Sequence, residues 1–211
     1  MSKISFVYFD VSGVAIKDFS DTDEWDRMID DELGIPSEYR SEFNSYYDSI
    51  EPEICTGKIH VDSLLPKIIK DFHATVDPTF SLQKYFVEHL SKNISIIEVM
   101  KKLVNRGVKI GLLTDQYPGM LELIFSTGLI DKSIFDVIID SSIEKVHKPD
   151  KAIYNIAAKK AKNNPENILF IDNTKANLEA AKALGWHTFY YNSSDYDQSN
   201  QELADFIAQN L

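Results

Sequence analysis

The sequence predicts an α/β fold in three layers, a parallel sheet covered by helices on both faces, with an inserted α-helical segment. Three observations carry this. Apolar runs at residues 4–9, 108–113 and 168–171 are continuous in Val, Ile, Leu and Phe and each ends at a polar turn. A strand covered on both faces needs that composition, whereas a half-exposed strand alternates. Helical patterns lie between the runs, and such alternation builds a parallel sheet. Residues 15–92 break the rhythm: they are acidic, aromatic and patterned as helix.

The first run, residues 4–9, leads into Asp10. The chain then leaves the sheet. Trp25, Met28, Ile29 and Leu33 fall on one helical stripe, and Leu64, Leu65, Ile68 and Ile69 on another. The simplest topology places a helical cap at 15–92 and the α/β core at 1–14 and 93–211. Ile96, Ile97, Met100, Leu103 and Val104 recur at helical spacing before Arg106 and Gly107, a helix stop. The run 108–113 leads into Thr114, and a helix over 118–126 follows, with Pro near its first turn. Weaker strands are expected at 137–139 and 188–191. Helices are expected over 149–162 and 175–184, the second closed by Gly185. Residues 192–200 read as a loop before a short terminal helix.

The chain has 211 residues, 44% of them hydrophobic and 26% charged, enough apolar material for a sizeable core. The first ten residues carry one lysine and a short apolar run without a cleavage site, so a cytoplasmic protein is expected. No run approaches the ~20 apolar residues that span a bilayer. Cys55 is the single cysteine, which excludes an intrachain disulfide and fits a reducing compartment; it reads as a packing residue. The formal net charge is −11, concentrated over residues 18–53, where only Arg27 and Arg40 oppose a dense acidic run. Such a surface repels nucleic acid and anionic membrane. A solvated helical face accounts for it.

Ligands of an open parallel sheet sit beyond the carboxyl ends of its strands. There the sequence offers Asp10, Thr114 and Asp172, with Lys148 opening a helix nearby. Each has an ordinary reading alone: a turn aspartate, a helix cap, a surface lysine, a loop acid. Together they make two carboxylates, a hydroxyl and an ammonium, which suits phosphoryl transfer.

FVYFDVSGV, GLLTDQ, VHKPDKAIY and ILFIDNTKANLEAAKALGW resemble, in order and spacing, the four motifs of the haloacid dehalogenase-like superfamily, and CTGKIHVDSLL resembles part of a helical cap of that superfamily. The resemblance implies a Rossmann-like core and an Mg²⁺-dependent phosphatase. Asp10 would be the nucleophile and form an aspartyl-phosphate. Asp10, the Ser12 backbone carbonyl and Asp172 would hold Mg²⁺ with water, and Asn173 would be a further metal or water ligand. Ser12, Gly13, Thr114, Asp115 and Lys148 would surround the phosphate, with Gly13 supplying a tight turn. The five histidines show no metal-ligand spacing and read as structural or cap-surface residues.

One position departs from the pattern. Ser12 stands where these enzymes commonly carry a second Asp, the general acid and base. Such help is typically worth ~10²–10⁴-fold. A phosphatase subgroup with motifs like Asp-Leu-Gly-Asn-Val also lacks it and resembles this chain in motif I and cap. The leading expectation is a phosphomonoesterase for a small phosphorylated metabolite, a sugar phosphate among the candidates. The alternatives are a weakly catalytic phosphate- and Mg²⁺-binding regulator, then a 2-haloacid dehalogenase. His60 or Asp18 would be a substitute acid.

Overall fold

A computed structural model describes residues 4–18 and 22–211. Five parallel strands form the central sheet: β1 (Phe6–Phe9), β4 (Lys109–Thr114), β5 (Val137–Asp140), β6 (Ile168–Asp172) and β7 (His187–Tyr190), in the order β5-β4-β1-β6-β7. Two short strands, β2 (Ile16–Lys17) and β3 (Ser91–Lys92), form a separate antiparallel ribbon. The helices are α1 (Glu24–Arg27), α2 (Arg40–Cys55), α3 (Leu65–Asp71), α4 (Leu82–Glu88), α5 (Ile94–Asn105), α6 (Met120–Ser126), α7 (Ser141–Glu144), α8 (Lys151–Ala161), α9 (Lys175–Ala183) and α10 (Tyr196–Asn210).

Successive side chains of a strand point to opposite faces, and both faces here are apolar. Val7 and Phe9 of β1, with Ile110 and Leu112 of β4, join a core that includes Met100 and Leu103 of α5 and Leu203 of α10. Phe6 and Tyr8, with Leu113 and Phe170, meet Ile153 and Tyr154 of α8 and Trp186 on the other face. Each fully buried Phe or Leu contributes roughly 1.5–3 kcal/mol. Gly111 in β4 makes room for this: a Cβ there would stand 2.7 Å from the Tyr8 ring and 2.6 Å from the Val137 carbonyl.

Between the ribbon strands the chain is helical, and among the described residues it adds no strand to the central sheet. Trp25, Met28, Ile29 and Leu33 join the core together with Phe43, Tyr47 and Ile68. Their stripe runs from α1 through a wider π-helical turn at Met28–Glu32 rather than along one regular helix. The ribbon clasps the exit and return of this insertion. Beside it, buried Asn93 donates to the Val14 carbonyl and to the Tyr191 hydroxyl, both at 2.8 Å, while Asn200 donates to Asn93 at 3.1 Å.

The C-terminus differs from expectation. The final helix starts at Tyr196, inside the segment read as a loop, and runs to Asn210. Asp195 caps it by accepting from the Gln198 N–H at 3.0 Å. Ser199, Asn200, Leu203 and Ile207 make its buried face, a mixed polar and apolar stripe that hides the helical period. No helix among the described residues is long and apolar enough to cross a membrane.

Candidate active site

Strand register brings the site together. Phe9 pairs with Leu112 on one side and with Ile171 on the other. The next residue, Asp10, therefore emerges beside Asp172, and its N–H donates to the Ile171 carbonyl at 2.9 Å. Thr114 ends β4 opposite Asp140. Adjacent strands lie ~4.8 Å apart, so their terminal side chains meet without any long reach.

Lys148 enters from the loop before α8. Its ammonium lies 2.9 Å from Asp10 Oδ1 and 2.8 Å from Asp172 Oδ2, and its side chain is 1% exposed. The loop is braced by Asp115, whose Oδ1 accepts from the Lys148 N–H at 3.0 Å. Asp172 is held further by the Thr174 N–H at 2.6 Å and by Asn177 Nδ2 at 3.1 Å. Asp10 Oδ1 also accepts from the Val11 N–H at 2.8 Å. The Thr114 hydroxyl is buried and accepts from Gln116 Nε2 at 3.3 Å. Its 3.5 Å contact to the Asp115 carbonyl is too long to hold it firmly.

Gly13 has φ +78°, a conformation that favours glycine. A Cβ there would fall 2.2 Å from Asn173 Nδ2, so this glycine lets the β1 turn and the β6 turn pack together. No hydrogen bond among the described residues ends on the Ser12 carbonyl.

The charges are unbalanced. Buried Asp10 and Asp172 and half-buried Asp115 surround one ammonium. Burial pushes the Asp10 carboxyl up from its ordinary range; Lys148 opposes this, and Asp172 and Asp115 add to it. Burial works against the Lys148 charge, but the three carboxylates outweigh it and hold this lysine above its usual value. Asp115 is likewise raised by burial, against Lys148. Excess buried anions of this kind suit a bound cation. Among the described residues, however, no three Asp, Glu, His or Cys side chains converge as a ready-made metal cluster. A dication would take the two strand-end carboxylates together with the unengaged Ser12 carbonyl.

A cleft of about 590 Å³ opens above these residues, between the strand ends and the helical insertion. Ser12, Asp115 and Gln116 form its floor, and Tyr47, Glu51 and Cys55 of α2 form one wall. The insertion is latched to the core beside it. The Ser141 hydroxyl donates to the Cys55 carbonyl at 2.6 Å, and Gln83 donates to the Pro118 carbonyl at 3.0 Å. Tyr47 donates to the Tyr117 hydroxyl, and Tyr117 to Glu51, each at 3.0 Å. Burial raises the Cys55 thiol, consistent with packing rather than reactivity.

Of the residues expected from sequence, Asp10, Lys148 and Asp172 meet directly, Asp115 touches the Lys148 backbone, and Gly13 abuts Asn173. Asp18 lines the cleft. His60 instead caps a short turn, its Nδ1 accepting from the Asp62 N–H at 3.3 Å, and does not line the cleft. His147, read from sequence as a structural or cap-surface residue, lines the cleft. Sequence reasoning missed Asn177 and Tyr117. Asn177 had a signal: it sits five residues after Asp172, in the first turn of α9, where a side chain faces back toward the strand end.

Residues 6–185 match the model of the haloacid dehalogenase-like hydrolases. The chain belongs to that family. Among curated relatives it is 24% identical over 128 residues to the (S)-2-haloacid dehalogenase 4A of Burkholderia cepacia, covering 54% of this chain and 55% of the relative. It is 26% identical over 106 residues to mouse acyl-CoA dehydrogenase family member 10, covering 48% of this chain and 9% of that protein. The chain thus spans about half or less of the curated relatives it matches. Among solved structures, a family enzyme from Bacteroides thetaiotaomicron in complex with magnesium and inorganic phosphate superposes with a TM-score of 0.73 at 17% identity, covering 91% of this chain and 96% of that one. An L-2-haloacid dehalogenase from Xanthobacter autotrophicus superposes with a TM-score of 0.63 at 18% identity, covering 89% and 77%. The three-layer parallel fold of this hydrolase family is thereby established for the chain.

Proposed function

We propose that this hydrolase is an Mg²⁺-dependent phosphomonoesterase for a small phosphorylated metabolite, with Asp10 as nucleophile. The observation that carries the reading is the convergence of Asp10, Asp172 and Lys148 at adjacent strand ends, beneath a cleft of small-molecule size. The magnesium and phosphate held by the Bacteroides enzyme agree with it.

In this reading a carboxylate oxygen of Asp10 forms a bond to phosphorus as the ester P–O bond breaks, and the departing alkoxide takes a proton from solvent water. Water then attacks the aspartyl-phosphate, releasing inorganic phosphate and the free Asp10 carboxylate. Lys148 neutralises charge on Asp10 and the phosphoryl oxygens. The Thr114 hydroxyl donates to one of those oxygens. Asp10, Asp172 and the Ser12 carbonyl would hold Mg²⁺, with Asn173 beside them. When bound, the ion supplies charge neutralisation for the phosphoryl group. Asp172 is kept aimed by Thr174 and Asn177.

A second reading, carbon–halogen hydrolysis of a 2-haloacid, draws support from the named relatives and from the Lys148 ammonium lying between the two carboxylates. A phosphate dianion would be met by Lys148 and by the cation that the two strand-end carboxylates would hold, whereas halide displacement at carbon needs no such cation. The phosphatase reading is therefore preferred.

Hydrolysis of p-nitrophenyl phosphate with and without Mg²⁺, beside halide release from a 2-haloacid, decides between them. Mg²⁺-dependent phosphate release is expected. Metal-independent halide release without phosphatase activity would overturn the assignment.

A further inference from the structure

The cleft wall built around α2 has a composition of its own. Asp18, Asp48 and Glu51 contribute carboxylates to this side of the lining, while Asp115 lies on the floor beside Lys148. Trp25, Tyr47, Phe86 and Tyr117 contribute aromatic rings. Among the described lining residues only His147 is basic.

The rings are in mutual contact, with Tyr47 and Phe86 each 4% exposed and Trp25 also stacked on Phe43 at 6.1 Å. Trp25 lies 4.9 Å from Tyr47 at 66° and 6.4 Å from Phe86 at 15°, and Phe86 lies 6.0 Å from Tyr117 at 66°. The indole N–H of Trp25 is occupied by Asn44, which is not a lining residue. Tyr47 and Glu51 recur one turn apart on α2 with Cys55 a turn further on, so a single helical stripe presents both ring and carboxylate. The two hydroxyl bonds through Tyr117 hold the Glu51 carboxylate against this ring surface. Rings present negative π-faces, so rings and carboxylates together favour a cation and disfavour an anion.

We infer that the alcohol portion of the substrate carries a cationic amine, so that the substrate is the phosphomonoester of an amino alcohol, received by the ring-and-carboxylate wall while its phosphate faces Lys148. This rests on the phosphatase reading. It narrows that reading from any small phosphorylated metabolite to a zwitterionic one, and sets aside phosphate esters whose remainder is anionic.

The test is a matched pair of esters. Phosphocholine has a quaternary nitrogen, and neohexyl phosphate has a quaternary carbon in its place at nearly the same shape. The full chain with Mg²⁺ is expected to turn over phosphocholine with a kcat/KM at least about tenfold above that for neohexyl phosphate, the range a cation–π and carboxylate contact supplies. In the double variant Asp48→Asn with Glu51→Gln the ratio should fall towards one. Both positions are exposed on α2, so the core is left intact. Equal or inverted kcat/KM in the wild type overturns the inference, as does a preference that the double variant leaves undiminished. If p-nitrophenyl phosphate is not hydrolysed either, the phosphatase reading itself falls. Calorimetric affinities for the same two esters then decide the charge preference separately, and equal affinities overturn it.

Discussion

The strand-end site and the cleft wall above it meet through Ser12 and Asp115, which line the cleft, but are built in opposite ways. At the strand ends every charged group is anchored by backbone: Asp10 follows β1, Asp172 closes β6, and Lys148 is positioned through its own N–H on Asp115. The side chains are short or buried, and their distances follow from strand spacing. The wall is assembled from α1, α2, α4 and the Tyr117 loop, and its alignment depends on side-chain contacts such as Tyr47–Tyr117–Glu51. In the proposed function the first region would perform chemistry common to many substrates, and rigid backbone suits it. The second would select among substrates, and surface side chains on an insertion can change without disturbing the sheet.

Asp10→Asn is the severest test of this division. An amide does not attack phosphorus comparably, so steady-state phosphatase turnover should fall by ~10⁴-fold or more while circular dichroism stays unchanged. An unaltered rate would remove the chemistry from the strand ends.

Lys148→Met probes the same region through stability. The substitution leaves Asp10 and Asp172 buried without their shared ammonium. Removing one partner of a buried ion pair costs about 3–5 kcal/mol, to be read from urea unfolding without metal. Mg²⁺ should restore part of the loss if the two carboxylates hold it. A neutral result would mean that the charges are relieved in another way.

Ser12→Asp asks whether the strand ends lack a general acid. The wild type should favour aryl over alkyl phosphates by ~10²-fold or more, because an aryl alcohol leaves without a proton. The variant should narrow that gap in a leaving-group series. If the wild type shows no such preference, the cleft wall already supplies a proton, and the two regions share the chemistry.

Gly13→Ala has the smallest expected effect. The left-handed φ and the 2.2 Å approach to Asn173 make alanine costly there. Strain and a displaced Asn173 should lower the unfolding free energy by about 1–3 kcal/mol, measured by denaturant titration. A change within a few tenths would show that the two turns adjust freely.

The amino-acid sequence by itself determined the α/β class, the five strands of the main sheet and the residues at their ends. Continuous apolar runs are local signals, and a residue that follows such a run must appear at the carboxyl edge of the sheet. The order of strands then brings Asp10, Thr114 and Asp172 side by side. Only the tertiary structure decided what depends on contacts between distant segments. These include the Lys148 ammonium shared by two carboxylates, Asn177 on Asp172, His147 in the cleft, and the ribbon that clasps the insertion. The two-residue strands of that ribbon are too short to show a period of two. The acidic run at residues 18–53 reads as solvated surface because charge and helical spacing are local properties. Asp18, Asp48 and Glu51 line a cleft only once α2 has been carried over the sheet and latched at Ser141 and Tyr117.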